Sequence, residues 1–201
     1  MKRNMNIGRG LLVALAGAAV ATSASAFIPS IIPADADRAL QIARSTLPQR
    51  ETFGSRYSID VIAPTVDLAT LERIEIVTEF RRMERIAEER LAVDRTFGAG
   101  GTNELMAALR PWRNQLTVIG HFRLGHVLLG ATPPLTRIGL GGQIPLRTSV
   151  RLLGGGEGPP TGAVVEATFD STRIRSAVQT ITVWCAGSEV ARQDVDFAGL
   201  E

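Results

Sequence analysis

The second half of the chain alternates short apolar runs with clusters of glycine and proline, and the apolar runs are rich in β-branched residues. Short runs of this kind, bounded by turn residues at regular spacing, are typical of the strands of an antiparallel sheet or sandwich. No internal repeat is evident that would indicate a solenoid. We predict strands over residues 116–122, 127–129, 149–153, 164–169, 178–185 and 190–197.

The first half of the chain shows helical spacing at two places. Apolar residues that follow Pro33 and two aspartates predict a short helix over residues 35–46. A second short helix is expected from Thr102, a residue type that caps helices, to Arg110. A strand over residues 57–62 lies between them. We therefore expect an α+β fold, mainly antiparallel β with sandwich-like sheet packing in the C-terminal two-thirds, and two or three short helices in the N-terminal half.

The run from Arg73 to Arg95 is the most densely charged part of the chain, and its pattern fits two secondary structures. Residues 73–80 alternate apolar and polar positions in a β-branched segment, which indicates a strand. Helical spacing follows, so we predict that this strand leads into a helix near residues 81–93. One continuous helix over residues 70–93 is the alternative.

This charged run contains six arginines and six acidic residues, so its net charge is zero. Oppositely charged residues three or four positions apart on a helix stabilise a solvated face by roughly 0.2–0.5 kcal/mol per pair. We therefore interpret the run as a solvated face with its apolar side on the core, and a groove for a partner helix is the alternative. The pairs at this spacing are Glu79–Arg82, Arg81–Glu84, Arg85–Glu88, Arg85–Glu89 and Arg90–Asp94.

The last two strands are predicted to form a hairpin whose register follows from the apolar pattern. A two-residue loop at Gly187-Ser188 would set the apolar Val183 opposite the charged Arg192. Because a one-residue slip moves every side chain to the other face of the sheet, we predict a three-residue loop over residues 187–189, with a left-handed residue or a bulge near the turn. The predicted pairs are Cys185 with Ala191, Val183 with Gln193, Ile181 with Val195 and Gln179 with Phe197, and Arg192, Asp194 and Asp196 share the other face.

Residues 1–26 have the pattern of a secretory signal peptide. A basic start is followed by an apolar run over residues 11–21, and Ala24-Ser25-Ala26 has the small residues of a cleavage site. The apolar run is shorter than the roughly 20 residues that a membrane-spanning helix needs. We expect cleavage before Phe27, export to the periplasm or the cell exterior, and no stable membrane insertion of the mature chain. An uncleaved anchor is the alternative.

Removal of this segment changes the charge of the chain. The 22 basic residues include three within the first 26 positions, so the mature chain keeps 19 basic and 20 acidic residues and has a net charge of −1. A nucleic-acid-binding protein is expected to keep a net positive field, so we exclude nucleic acid as a partner. The 19 remaining basic residues are all arginine, which we attribute to codon bias in a GC-rich bacterial genome. Residues 27–201 are long enough for a single globular domain.

Cys185 is the only cysteine, so the chain forms no internal disulfide. It lies in a strand-like segment, and we expect a buried thiol that packs as a small apolar side chain and is not reactive. The chain also lacks the G-x-S-x-G motif of a serine hydrolase. Cys185 and a distant histidine could form a nucleophile and base, but a pair of this kind is too common to be informative. We therefore assign no catalytic residue.

Metal-binding residues are equally sparse. His121 and His126 are five positions apart, which sends them to opposite faces of a strand or separates them by about 140° on a helix. We expect structural or surface histidines. Asp194 and Asp196 could share a cation, but Arg192 beside them favours an ion pair. We assign no metal-binding residue.

Three glycine clusters do not match nucleotide-binding loops. Residues 98–102 lack the lysine and the spacing of a phosphate loop, and residues 139–142 lack the later glycine of a dinucleotide fingerprint. Residues 154–162 are interpreted as a flexible exposed loop, and a lid over a pocket is the alternative. We assign no cofactor and no cofactor-binding residue.

Two functional hypotheses follow. The first is a non-catalytic envelope or secreted module that binds a protein or a cell-envelope polymer, and it requires an exposed apolar patch or a free sheet edge. The second is an exported enzyme or small-ligand-binding protein whose site is assembled from distant residues. It requires a pocket with convergent polar groups that include His121, His126 or Cys185. We favour the first.

Overall fold

The computed structural model describes residues 31–99, 101–125, 136–154, 159–174 and 176–200. These residues form four α-helices and eight β-strands, and short 3₁₀ turns lie at residues 110–112, 171–173 and 197–199. The helices are α1 (Pro33–Arg44), α2 (Leu47–Ser55), α3 (Glu79–Val93) and α4 (Asn103–Leu109). The strands are β1 (Ser58–Asp60), β2 (Ala69–Val77), β3 (Gln115–Leu124), β4 (Thr136–Leu140), β5 (Arg147–Leu153), β6 (Gly162–Asp170), β7 (Val178–Cys185) and β8 (Ser188–Asp196).

The strands form two antiparallel sheets, one with the order β1-β2-β3-β6-β5 and one with the order β4-β7-β8. The inner faces of the two sheets share one apolar core, because alternate residues of each strand point to the same side. The predicted α+β fold is confirmed. Side chains that fill this core include Leu71, Val118, Val165 and Phe169 from the larger sheet and Ile138, Ile181 and Val183 from the smaller one.

The helices build a second core beside the sheets. It is formed mainly by apolar residues of α1, α3 and α4, among them Leu40, Met83 and Leu105, which are fully or almost fully buried. Leu200, near the end of the chain, packs against both cores. The helical layer and the sandwich are therefore in direct contact.

Two predictions near the N-terminus need correction. The helix predicted over residues 35–46 is present as α1, but a second helix, α2, follows at once, and the sequence pattern did not predict it. Pro48 lies in the first turn of α2, where its missing N–H is not needed. The strand expected over residues 57–62 is only the three residues of β1.

The transition from strand to helix in the charged run is confirmed. β2 ends at Val77, and α3 begins at Glu79 after Thr78, whose Oγ1 accepts a hydrogen bond from the Arg81 backbone N–H at 3.1 Å. This is a standard N-cap interaction. The alternative of one continuous helix over residues 70–93 is wrong. In α4, by contrast, Thr102 precedes the helix without a side-chain capping bond.

The predicted register of the last hairpin is wrong by two residues. β7 and β8 are joined by a two-residue turn, Ala186-Gly187, and Val183 lies opposite Ala191. A bulge between Val183 and Trp184 inserts the extra residue, Val190, which is buried. A shift of two residues keeps the faces of both strands, so Arg192 and its neighbours do lie on the predicted outer side.

Three predictions fall wholly or partly outside the described residues. They are the signal peptide over residues 1–26, the strand over residues 127–129 and the central part of the glycine-rich loop near residues 155–158. β4, in contrast, is described and was not predicted, because glycine interrupts its apolar pattern. None of the described helices is both long and apolar enough to span a membrane.

Candidate functional site

A polar groove of about 700 Å³ lies between helices α2 and α3 and the outer face of the five-stranded sheet. The outer face of the five-stranded sheet is the side that points away from the three-stranded sheet. The groove falls in the size range of ligand-binding pockets in proteins, roughly 300–1,000 Å³. Its lining consists of Leu47, Arg50, Glu51, Gly54, Ser55, Ser58, Asp60, Arg73, Glu75, Arg81, Arg85, Glu88 and His121.

The sheet places three of these side chains next to one another. In the ladder between β2 and β3, Arg73 is the direct partner of His121, and β1 sets Asp60 opposite Arg73. Directly opposed residues of antiparallel strands have Cβ atoms about 5 Å apart and point to the same face. A register shift between Leu71 and Arg73 interrupts the alternation of β2, so that Arg73 lies on the outer face.

Glu75 connects the sheet to α3. Its carboxylate lies 3.2 Å from Arg85 Nη1 and 3.4 Å from His121 Nε2. Burial of Glu75 opposes its ionisation, but the interaction with His121 and the positive charges of Arg85 and Arg81 outweigh burial and lower the pKa of Glu75. The carboxylate is therefore held in its charged form between a guanidinium group and an imidazole ring.

Arg81 forms the wall of the groove on the helix side. Its guanidinium lies over the rings of Phe53 and Tyr57, with 5.9 and 5.8 Å to the ring centroids, and it pairs with Glu84. Gly54 leaves room for this position, because a Cβ atom at residue 54 would lie 3.0 Å from Arg81 Nη2, a close contact that would shift the guanidinium. The cation is thus fixed by two aromatic rings, one carboxyl group and one glycine.

Glu84 lies behind Arg81 and is fully buried. Burial, together with the neighbouring Glu88, raises the pKa of Glu84 to about 7 against the opposing charge of Arg81. Glu88 pairs in turn with Arg50 of α2 at 3.4 Å. A buried carboxyl group that titrates near neutral pH is thus connected to the groove through Arg81.

The interpretation of the charged run as a solvated face needs correction. The apolar side of α3 does pack on the core through Phe80, Met83 and Ala87. Of the five predicted helical pairs, however, only Arg81–Glu84 is found among the ion pairs of the described residues. Arg85 pairs with Glu75 of the sheet instead, because α3 lies against the outer face and β2 brings an acceptor closer than the next helical turn.

The second surface feature is the free edge of β5. This strand ends the five-stranded sheet, and its first six residues are all exposed. Val150 and Leu152 point to the same side as Val165 and Ala163 of the core, yet they are 54% and 44% exposed. No other strand of the described residues pairs with the outer edge of β5, so this strand presents backbone groups without a ladder partner together with apolar side chains.

The other sequence candidates do not form a site. Cys185 is buried in the sandwich core, which confirms the predicted burial, and burial raises the pKa of its thiol. His126 lies outside the described residues. Arg192 pairs with Glu189 rather than with either aspartate, and Asp194 accepts a hydrogen bond from Thr180. Within the described ranges, no group of three or more acidic, histidine or cysteine side chains is arranged to hold a metal ion.

Among the residues that line the groove, the sequence pattern identifies only His121 as a candidate site residue. Arg73 and His121 are 48 positions apart, and no local pattern connects them; their pairing depends on the order and register of the strands. The sequence feature that points to the groove is the density of arginine in the charged run. Comparison of this chain with protein-family models, with curated proteins and with solved structures finds no match.

Proposed function

We propose that this chain is an exported, non-catalytic interaction module that binds an extended segment of a partner protein along the free edge of β5. The observation that carries this proposal is the exposure of β5, with Val150 and Leu152 on one face and an edge that no other described strand pairs with. An exposed strand edge is a template for the addition of another strand. The signal-peptide pattern of residues 1–26 supports action in the periplasm or outside the cell.

β5 is a better template than the other sheet ends. β1 has only three residues, and the outer face of β8 carries the charged residues Glu189, Arg192, Asp194 and Asp196, which discourage edge pairing. β4 packs beside β6 within the sandwich. β5 combines seven residues of strand with two exposed aliphatic side chains, and Ile144, just before it, is 87% exposed.

The two faces of β5 indicate the chemistry of the partner. Thr148, Val150 and Leu152 form the apolar side, whereas Arg147, Ser149 and Arg151 form the other. A strand added to this edge would place its side chains on the same two faces. The expected partner segment therefore alternates apolar residues, which cover Val150 and Leu152, with acidic residues, which lie near Arg147 and Arg151.

Partner capture tests the proposal with two matched variants. Val150→Lys places a charge on the edge of β5, where Val150 is 54% exposed. Val178→Lys changes a valine of similar exposure, 52%, at the start of β7 in the other sheet. Protein expressed from the complete sequence, purified in its processed form and immobilised, is exposed to an envelope extract. We expect a saturable partner that Val150→Lys loses and Val178→Lys retains, and protection of the amides of residues 147–153 from hydrogen exchange in the complex.

Three results would contradict this function. The first is an empty capture by folded wild-type protein, and the second is equal capture by both lysine variants. The third is a captured partner that protects amides elsewhere and leaves β5 exchanging as in the free protein.

A second candidate function is the binding of a small ligand in the polar groove. It is favoured by the convergence of His121 with arginines from three elements, as the second sequence hypothesis requires. The burial of Cys185 removes the nucleophile that a catalytic version of this hypothesis would use. The chemistry of the groove indicates the class of ligand.

A further inference from the structure

We propose that the polar groove between α2, α3 and the five-stranded sheet binds a small ligand through an oxyanion, a carboxylate or phosphate group, held by Arg73, Arg81 and Arg50. This proposal is independent of the edge of β5, because the groove lies on the outer face at the opposite end of the sheet, next to β1 and β2. Three observations support it. The groove contains several arginine side chains as hydrogen-bond donors, part of its carboxylate acceptors are engaged in ion pairs, and the side chain of Arg81 is restricted by its neighbours.

The groove has more donors than its own residues satisfy. Four arginines line it, and each guanidinium carries five N–H donors. The Nε atoms of Arg50 and Arg81 are shielded from solvent and have no hydrogen-bond partner among the described residues, and the same is true of one acceptor, Glu84 Oε1. His121 Nε2 lies 3.4 Å from the Glu75 carboxylate. Buried polar groups in folded proteins are nearly always hydrogen-bonded. An acceptor-rich ligand would pair with those guanidinium donors that are open to the groove.

Two of the four acidic side chains that line the groove are already engaged. Glu75 faces Arg85 and His121, and Glu88 pairs with Arg50. Glu51 and Asp60 remain, and both are exposed on the rim. The carboxylates of Glu51 and Asp60 leave the arginine donors in the interior of the groove available. They would repel an extended polyanion that passes the rim, so a compact anion is favoured.

Arg73 is the most accessible of the proposed donors. It is exposed, it forms no ion pair within the part of the chain that the structure describes, and it lies beside His121 across the ladder. A guanidinium group and an imidazole on adjacent strands can approach one anionic group together. The fork of a guanidinium matches two oxygens of a carboxylate or phosphate.

Arg81 is held in place before a ligand arrives. Phe53, Tyr57 and Gly54 restrict its guanidinium, so little side-chain entropy is left to lose on binding. Its partner Glu84 is a buried carboxyl group with a raised pKa of about 7. Near neutral pH the charge of Arg81 is therefore only partly compensated, which strengthens its attraction for an anion.

Calorimetric titration with citrate and with inorganic phosphate tests the site at physiological salt. The processed protein is compared with Arg73→Gln, which removes the accessible cation without disturbing an ion pair of the described residues. The control is Arg192→Gln, an equally conservative change at an exposed arginine outside the groove. We expect saturable binding by the wild type, an affinity at least tenfold lower for Arg73→Gln and an unchanged affinity for Arg192→Gln, a difference of about 1.4 kcal/mol or more.

A second readout locates the ligand and covers the buried donor. The ring-proton NMR signals of His121, assigned with His121→Gln, should move on titration with whichever anion binds. Gly54→Ala should also weaken binding, because its Cβ atom would displace the guanidinium of Arg81. The proposal is overturned if neither anion binds saturably at millimolar concentration. It is also overturned if Arg73→Gln and Arg192→Gln weaken binding equally, or if the His121 signals stay in place while an anion binds.

Discussion

Glu84 shows how burial can outweigh an ion pair at the scale of a single residue. The sequence places it in a helical pair with Arg81, and the structure contains that pair, yet the side chain is fully buried. Removing a carboxylate from water costs more than one neighbouring guanidinium returns, so the pKa rises to about 7. The spacing of charged residues along the helix predicted Arg81 as the partner of Glu84, but it did not predict the ionisation state of Glu84.

The raised pKa of Glu84 predicts how stability depends on pH. Between about pH 4.5 and 7 the unfolded chain releases the proton of Glu84 while the folded chain keeps it, so this group destabilises the fold as the pH rises through that window. The loss is complete above pH 7 and is at most about 3 kcal/mol. Glu84→Gln should therefore gain stability relative to the wild type as the pH rises from 4.5 to 7.5, measured by urea unfolding.

Glu104→Gln, at an exposed position of α4, is the control for this experiment. Its stability relative to the wild type should change much less over the same range. If instead the wild type gains on Glu84→Gln as the pH rises, Glu84 is ionised in the fold and its proposed influence on Arg81 is absent.

The hairpin of β7 and β8 shows what a pattern decides at the scale of an element. Its faces were predicted correctly, because each strand must keep its apolar side chains on the core. The offset between the strands was predicted wrongly, because a shift of two residues leaves every side chain on the same face. The tight turn at Ala186-Gly187 and the bulge after Val183 settle the offset together.

This turn leads to a prediction about stability. Ala186 and Gly187 have φ angles of 49° and 83°, the left-handed conformation that a two-residue hairpin of type I′ requires at both positions. Alanine pays about 1 kcal/mol for this conformation. Ala186→Asn creates the preferred Asn-Gly turn and should raise the free energy of unfolding by about 0.5–1 kcal/mol, measured by chemical denaturation.

Gly187→Ala provides the opposite test. No atom of the described residues would lie within 4 Å of a Cβ atom at residue 187, so we expect the cost to come from the backbone angle. We expect a loss of about 1 kcal/mol. If Gly187→Ala loses no free energy of unfolding and Ala186→Asn gains none, the turn has another conformation.

At the scale of the whole molecule, the sandwich and the helical layer have separate cores that meet at few places. Leu200 packs on both, and Arg82 of α3 reaches the sheet through a hydrogen bond to Thr117 Oγ1 at 3.0 Å while stacking on Trp112 at 4.2 Å. These contacts are polar and aromatic as well as apolar. They couple the two layers, as expected if residues 27–201 form a single domain.

The two tryptophans can measure this coupling. Trp112 reports on the helical layer and Trp184 on the three-stranded sheet, where Arg137 stacks on its ring at 4.3 Å. Trp112→Phe and Trp184→Phe each leave one fluorescent reporter. In a single cooperative domain, the fluorescence of each variant should change at the same urea concentration as its own far-ultraviolet circular dichroism. A fluorescence transition that separates from the circular dichroism in either variant would show that the layers unfold independently.

The sequence by itself determined the features that depend on neighbours along the chain. The alternation of β-branched and polar residues located β3, β5, β6, β7 and β8, and the change of period in the charged run located the junction of β2 and α3. Composition also predicted that Cys185 is buried, because a lone thiol in an apolar strand has no competing role. Each of these outcomes follows from the spacing and type of side chains within one segment, and these are properties of the sequence itself.

Only the tertiary structure decided which distant residues meet. The groove exists because strand order brings Arg73 of β2 to His121 of β3 and because α3 lies over them, and periodicity specifies neither. The same holds for the pKa of Glu84, which depends on what covers it, and for the free edge of β5, which depends on where the sheet ends. A face can be derived from spacing along one strand, whereas a site requires the relative positions of several elements.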